Sequence, residues 1–486
     1  MSTLLQTLQA KLQDPSIDWK NVLIGAVLGA AAFESLIVSR QRPYLSPILH
    51  PTLPAALQPH LPSTSSETYS KSQAYARAKL NFGAVINILD LVETGVLLTG
   101  LATPVAKALG FMGAGEGENW TLLKGFWDVS GLVPGVKGEI TQSLAFTAIM
   151  TVLGAVLSIP KDLYKNFKLE QDHGFNKMTL GTFVKDTVKN LVVSLALELP
   201  ILAGLIRIIH WAGQDAILRI VTWAIIFIFC IQLIMVPLFP AVIQPLFNKF
   251  TLLPEDSPVY PRVQALAKKL NFPLGKIWVI DGSVRSSHSN AYFYGLPGFN
   301  KNIVIYDTLL EKSKPEEIEA ILAHELGHWK GNHIPVLLVT GLAQVALSLT
   351  TYTIFLTNRP LLSAFGFHAP SLSSKILDPS SAAVAQHGPT IIALLLAATL
   401  FTPLSTFLGF ASNAITRRLE YDADAFAVQQ GTETASNLKK ALVTIHEKNL
   451  ALYGVDWIYS SRHHSHPTLV ERLEALDKGI EGKKEK

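Results

Sequence analysis

Apolar residues in this chain fall into long unbroken runs rather than the three-and-four spacing of a helix that is half in water. Seven runs approach the roughly 20 residues a helix needs to cross hydrocarbon. They cover 21–39, 83–110, 140–160, 187–210, 216–240, 335–357 and 389–412. Between the fifth and sixth runs the rhythm breaks. Residues 247–334 read as a small α+β unit, with an amphipathic helix over 261–270 and a strand over 276–281 (KIWVID). Two further strands follow at 290–295 (NAYFYG) and 302–306 (NIVIY), with turn chemistry at Leu296-Pro297-Gly298 between them. Ser313 and Glu316 are spaced as a capping box with Pro315 in the first turn, so a helix is predicted to start there. The expected organisation has four parts: 1–240 with five membrane helices, 241–334 as a cytoplasmic insert, 335–412 with two more membrane helices, and 413–486 as a C-terminal cytoplasmic segment.

Composition supports the membrane reading. Of the 486 residues, 49% are hydrophobic and only 16% are charged, against about 25% charged in soluble domains. Mean hydropathy is +0.31. A water-soluble fold of this composition would expose large apolar patches, and a disordered chain would be far less apolar. The single cysteine, Cys230, excludes a disulfide framework and leaves His and carboxylates as the metal ligands. A net charge of +4 is too small to argue for nucleic acid.

Loop charges set the orientation. The 40–82 loop carries Arg40, Arg42, Lys71, Arg77 and Lys79, and the 161–189 loop carries six lysines. The loops after the second and sixth runs have two basic residues each: Lys124 and Lys137, then Arg359 and Lys375. The two basic loops therefore face the cytoplasm, and seven spans put the 241–334 insert and the C-terminal segment there too. Asn119-Trp120-Thr121 is a glycosylation sequon in a loop predicted to be lumenal. No signal-peptide pattern precedes the first run, which is expected to stay as an anchor. Four acids, Glu34, Asp90, Glu93 and Glu198, fall inside the runs, where a charge costs about 3 kcal/mol on insertion scales. They either pair with basic residues or face water inside the bundle. No basic residue accompanies Asp90 and Glu93 within their run before Lys107.

The candidate chemistry lies on the last helix of the insert. His324-Glu325-Leu326-Gly327-His328 is an H-E-x-x-H motif, expected by chance only about 0.02 times in such a chain. Two His four apart share one helix face and can both reach one Zn²⁺. Glu325 is placed to take a proton from the attacking water. No third His follows in the spacing of an extended motif. His333, five past His328, is expected to face elsewhere and to have a structural role. A carboxylate on a second helix should complete the set, and Glu420 and Asp424 in RRLEYDADAFA lie four apart on one face. One of them can ligate while the other hydrogen-bonds a ligand His.

SSHSNAYFYG with IVIYDTLL, HELGHWKGNH, RRLEYDADAFA and SHPTLVERLEAL occur in that order, with LEQDHGFNKMT and PLFNKFTLLPE before them. Over residues 75–478 the chain resembles the type 1 C-a-a-X prenyl endopeptidases as a fungal-like member. These are the a-factor-converting and prelamin-processing zinc proteases of endoplasmic reticulum and inner nuclear membranes. The resemblance implies an α-helical integral membrane protein with seven transmembrane helices around a water-filled chamber, and a zincin-like α+β unit at its cytoplasmic end. It implies one Zn²⁺ per chain on His324, His328 and Glu420, with Glu325 as catalytic base and Asp424 behind the ligands. It places substrate backbone along Asn290 and Ala291, and His466 close to the substrate, with His463 and His464 as competing candidates. Arg472, in the same C-terminal helix, would orient a substrate carboxylate or form a structural ion pair. The implied substrates are farnesylated or geranylgeranylated C-a-a-X proteins at a lipid surface, cut after the prenyl-cysteine. A second upstream cut and the oligomeric state stay open.

Three other readings compete. One is a membrane quality-control zinc protease, which usually has fewer spans. Another is an intramembrane protease, disfavoured because H-E-x-x-H lies outside the runs. The third is a scaffold or translocon-clearing factor, which has no use for Glu325. Lys483 and Lys484 stand like a dilysine retrieval signal of the endoplasmic reticulum.

Overall fold

The computed structural model describes residues 2–484 except 55–56, 60, 62–63, 112, 116–118, 214–215, 296–297 and 369–387. The expected turn residues Leu296 and Pro297 and the loop residue Lys375 lie outside the described residues. Among the described residues the apolar runs are helices. Five precede the insert: α1 (Trp19–Gln41), α2 (Ser66–Leu98), α3 (Glu139–Tyr164), α4 (Leu180–Ala212) and α5 (Ile217–Leu238). After it comes α8 (His333–Thr353), long and apolar enough to span like the first five. The seventh run is broken. Its helices α9 (Thr390–Leu400) and α10 (Thr402–Gln430) meet at 64°. Pro403 stands in the first turn of α10 and has no N–H to continue the ladder of α9.

The second span departs from the expected 83–110. Helix α2 starts at the Ser65 cap, whose Oγ accepts the Thr68 N–H at 3.0 Å, and ends at Leu98. Thr99 is extended there, and Gly100 and Pro104 follow, so the helix cannot run on to residue 110. The polar first half of α2 leaves the hydrocarbon and packs Tyr69 against Tyr453 and Leu473 near the chain's end.

The acids inside the spans find partners that no local pattern reveals. Lys161, near the end of α3, puts Nζ 2.8 Å from Asp90 Oδ1 and 2.7 Å from Glu93 Oε1. Glu34 meets His463 at 2.8 Å and Arg462 at 3.5 Å. Glu198 accepts from Thr151 Oγ1 at 2.9 Å. Between them the spans bury little: their most apolar stretches are 0–17% buried. One aromatic-rich core (Trp19, Trp127, Phe146, Phe355, Phe365) joins the helices at one end.

The insert folds as the alternation of its residues requires. Strands β1 (Phe250–Leu252), β2 (Leu274–Ile280), β3 (Ala291–Tyr294) and β4 (Lys301–Tyr306) form one sheet in the order β1-β2-β4-β3. Only β2 and β4 are parallel, and α6 (Val259–Leu270) precedes β2. β1 has three residues, too few to show a period in sequence. β3 is an edge strand. Helix α7 (Pro315–Lys330) starts one residue later than the capping-box spacing suggests: the Lys314 N–H donates to Glu317 Oε2 at 3.1 Å, and Ser313 instead caps the C-terminus of the short helix Asp307–Lys312 before it. Helices α11 (Thr432–Lys448) and α12 (Leu469–Lys484) close over α7. Ile303, Ile305, Ile318, Leu322, Ala427, Leu438 and Leu476 make the core they share.

Lys161→Met should leave two carboxylates unpaired in an apolar run and lower the melting temperature of the detergent-solubilised protein, whereas Lys161→Arg should restore it. Equal melting temperatures for all three proteins would show that the Lys161 pairs contribute nothing.

Candidate metal centre

Helix α7 presents its buried face to α10, and the approach is close. A Cβ on Gly327 would lie 3.1 Å from the backbone of Ala423 and 3.2 Å from Phe426 Cβ. Glycine in the middle of H-E-x-x-H therefore brings the two helices together. One turn apart on α7, His324 and His328 point their Nε2 atoms at each other across 3.2 Å. Glu420 on α10 faces both, with Oε2 3.4 Å from His324 Nε2 and Oε1 3.3 Å from His328 Nε2.

This donor set fits a divalent cation. The three ligand atoms lie within 4.8 Å of one another. Glu420 Oε2 is buried with only long contacts, 3.4 Å to His324 Nε2 and 3.8 Å to Arg472 Nη1, and a cation against it would offset the cost of that burial. Two imidazoles and one carboxylate leave a coordination position open, as in catalytic rather than structural sites.

The outer atoms of the ligands are also held. His324 Nδ1 lies 2.9 Å from Asp424 Oδ1. Arg472 from α12 grips Asp424 with two bonds, Nε to Oδ2 at 2.9 Å and Nη2 to Oδ1 at 2.7 Å. Both are buried, and the pair cancels its own charge. Arg472 is thus paired with Asp424 through Nε and Nη2, while its Nη1 lies 3.8 Å from Glu420 Oε2. Of the two roles left open by the sequence, the geometry favours the structural ion pair.

Burial raises the Glu325 carboxyl above the usual carboxylate range, although the positive fields of His324 and His328 oppose the rise. Burial works to lower the His324 pKa, yet hydrogen bonds to Asp424 and Glu420 outweigh it and raise it to about 9. The metal-free imidazole therefore holds a proton at neutral pH.

A cavity of about 420 Å³ joins the remaining sequence-predicted residues: His324, Glu325, His328, Glu420, Asn290, Ala291, His466 and Arg472 all line it. His466 stands at its rim, with a side chain 60% exposed and Nε2 3.4 Å from Glu420 Oε1. Neither competitor lines it: His463 is paired with Glu34, and His464 Nδ1 lies 3.5 Å from Ser460 Oγ. Just before β3, Asn290 O accepts from Tyr306 N at 3.0 Å, so strand alternation turns the Ala291 N–H to the open edge. There Asn290 Oδ1 covers it at 2.8 Å.

One residue does not face where the sequence suggests. The helix stops at Lys330, Asn332 turns left-handed (φ 53°), and His333 begins α8 folded back over the site. His333 Nδ1 lies 2.8 Å from His328 Nδ1. Counting residues along a continuous helix could not find this contact. The available signal was Gly331-Asn332, a turn pair directly after the motif.

Comparison with known proteins agrees with this architecture. Residues 48–249 match the family model "CAAX prenyl protease N-terminal, five membrane helices", and residues 255–480 match "Peptidase family M48". The chain is 36% identical over 477 residues to CAAX prenyl protease 1 of Saccharomyces cerevisiae, covering 98% of this chain and 99% of that protein. It is 33% identical over 449 residues to the CAAX prenyl protease 1 homolog of Homo sapiens, covering 85% and 86%. The crystal structure of S. mikatae Ste24p superposes with a TM-score of 0.81 at 34% identity, covering 95% of this chain and all of that one.

Glu420→Ala should reduce the affinity for a divalent cation by at least about 10-fold, since it removes the one anionic ligand. Stoichiometric metal in that variant after dialysis would mean that another residue ligates. Because His324 must give up its proton to bind a cation, uptake at pH 7.5 should release protons. The apparent affinity should rise with pH until the pKa of about 9 is passed. Calorimetry in buffers of different ionisation enthalpy measures this, and no buffer dependence would contradict it.

Proposed function

The chain belongs to the CAAX prenyl protease 1 family, and on that premise we propose that it is a zinc endopeptidase that releases the last three residues of prenylated CAAX proteins. The observation that carries the reading is one cavity shared by the two H-E-x-x-H histidines, Glu420, Glu325 and the open edge of β3. It sits beside His333, where a membrane-spanning helix starts. A substrate whose tail is lipid-anchored at its cysteine meets the site at that boundary.

His324, His328 and Glu420 would hold the zinc. When bound, zinc supplies Lewis acidity for the scissile carbonyl and makes water a better acid. The remaining chemistry belongs to the protein. An extended substrate backbone adds to the β3 edge, where its carbonyl displaces Asn290 Oδ1 from the Ala291 N–H. Glu325 takes the proton of the attacking water on its carboxylate and delivers it to the leaving amine. A base with a raised pKa suits both steps. His466, at the rim, swings from Glu420 to donate to the oxyanion. Arg472 and Asp424 hold the ring of His324 in the orientation that the ligand role requires.

The family and the spans make this a multi-pass membrane protein. We further propose the endoplasmic reticulum, with extension to the inner nuclear membrane, and with the insert and C-terminal segment facing the cytoplasm. The support is the excess of Lys and Arg in the 40–82 and 161–189 loops.

Glu325→Gln should keep full metal content and lose at least about 1,000-fold in kcat on a farnesylated CAAX peptide, because the amide cannot accept a proton. A metal-loaded Glu325→Gln protein with near-normal turnover would refute the base assignment. Ala291→Pro removes an outward N–H and leaves the bonds to β4 intact, so it should raise KM without changing metal affinity. An unchanged KM would remove the edge-strand role.

A further inference from the structure

The geometry points to His333 as the residue that positions the ligand His328, and we propose that role for it. The inference rests on the reading that His324, His328 and Glu420 hold zinc. On His328 the nitrogen facing the other ligands is Nε2, 3.2 Å from His324 Nε2 and 3.3 Å from Glu420 Oε1. If Nε2 keeps its lone pair for the metal, the ring proton must sit on Nδ1. That Nδ1–H then has a partner: His333 Nδ1 lies 2.8 Å away and accepts it when the His333 proton is on Nε2. The two rings stand 5.0 Å apart at 78°, an edge-to-face arrangement that fixes the plane of His328 as well as its tautomer.

The local chain is built for this contact. His333 is 4% exposed although it opens a membrane-spanning helix. A polar ring buried there is costly unless it is hydrogen-bonded. Left-handed Asn332 reverses the chain so that residue 333 returns over residue 328. Gly331 provides the seat, because a Cβ on it would lie 2.3 Å from His333 Nε2.

The chemistry of the acceptor also has a reason. The outer nitrogen of His324 already faces a carboxylate, Asp424, which Arg472 neutralises. Glu325 and Glu420 add two more negative charges beside the metal position. A carboxylate at position 333 would add a further charge with no second arginine to offset it. A neutral imidazole orients His328 without adding charge. The two ligand histidines are therefore held by different devices, an ion pair behind one and a neutral ring behind the other.

The test is metal binding, measured by competition with a chromogenic chelator and by the visible spectrum of the cobalt-substituted protein. His333→Phe keeps a planar ring and removes the acceptor. It should weaken zinc binding by about 10- to 100-fold and shift the cobalt bands. His333→Asn puts an amide oxygen near the place of Nδ1 and should recover binding to within about threefold of wild type. Gly331→Ala leaves His333 in the sequence but displaces its ring, and should weaken binding in the direction of His333→Phe. Wild-type affinity and spectrum in His333→Phe would overturn the proposal. So would an Asn variant no better than Phe, with the metal-free melting temperatures of both equal to wild type. Should His333→Phe not fold, Gly331→Ala decides: unchanged affinity and bands overturn the role. Failure of the underlying reading looks different, since wild-type protein would then bind no zinc that Glu420→Ala loses.

Discussion

Everything at the active centre depends on how closely two helices meet. Gly327 has no side chain, so α7 rests on the backbone of α10 at Ala423. That contact lies between Glu420 and Asp424 on one helix and between His324 and His328 on the other. A side chain at residue 327 would push the helices apart by a few tenths of an ångström or more, and the ligand distances of 3.2–3.4 Å would open with them. Two segments nearly a hundred residues apart thus form one site through a single missing methyl group. Helix α12 locks the arrangement from behind, because Arg472 ties Asp424 to the third helix of the cluster.

Placing such a cluster beside a membrane raises a charge problem. Three carboxylates, Glu325, Glu420 and Asp424, and one guanidinium, Arg472, lie in one cluster at the cavity, and unpaired buried charges are costly. Arg472 settles Asp424. The two imidazoles, together with a divalent ion when one is bound, would offset Glu420 and Glu325. A protein that lacks the ion compensates by holding a proton on His324, whose pKa rises to about 9. The same balance appears along the apolar helices, where Lys161 answers Asp90 and Glu93, and Arg462 and His463 answer Glu34. Charges are kept there as paired sets drawn from distant parts of the chain.

What could be read in the sequence was local. A helix of apolar residues reveals itself by length, and β2, β3 and β4 by their alternation and turn residues. The H-E-x-x-H ligands follow from helix geometry within one turn. Glu420 and Asp424 were reachable because a motif of chemistry demanded a partner of known type. Legibility failed wherever the answer depends on which distant element arrives. Nothing near Asp90 names Lys161, and nothing near Asp424 decides that Arg472 belongs to it. The start of α2 at Ser66 was hidden because its first turns are polar and pack against the chain's end, not against lipid. The bend between Leu400 and Thr402 hides in a run that stays apolar through Pro403. His333 was misplaced by extending a helix through Gly331-Asn332, which the backbone does not do.

The central claim is that this membrane-mouth cavity, loaded with zinc, cuts a prenylated tail three residues from its end. Mass spectrometry of the products from a farnesylated C-a-a-X peptide tests it directly, using purified protein in detergent. The account predicts two products, a peptide ending in farnesyl-cysteine and the intact C-terminal tripeptide. Both should vanish after stripping with a zinc chelator and return when zinc is added back. Cleavage that survives complete removal of metal, or a cut at another bond of that peptide with none after the cysteine, would contradict it.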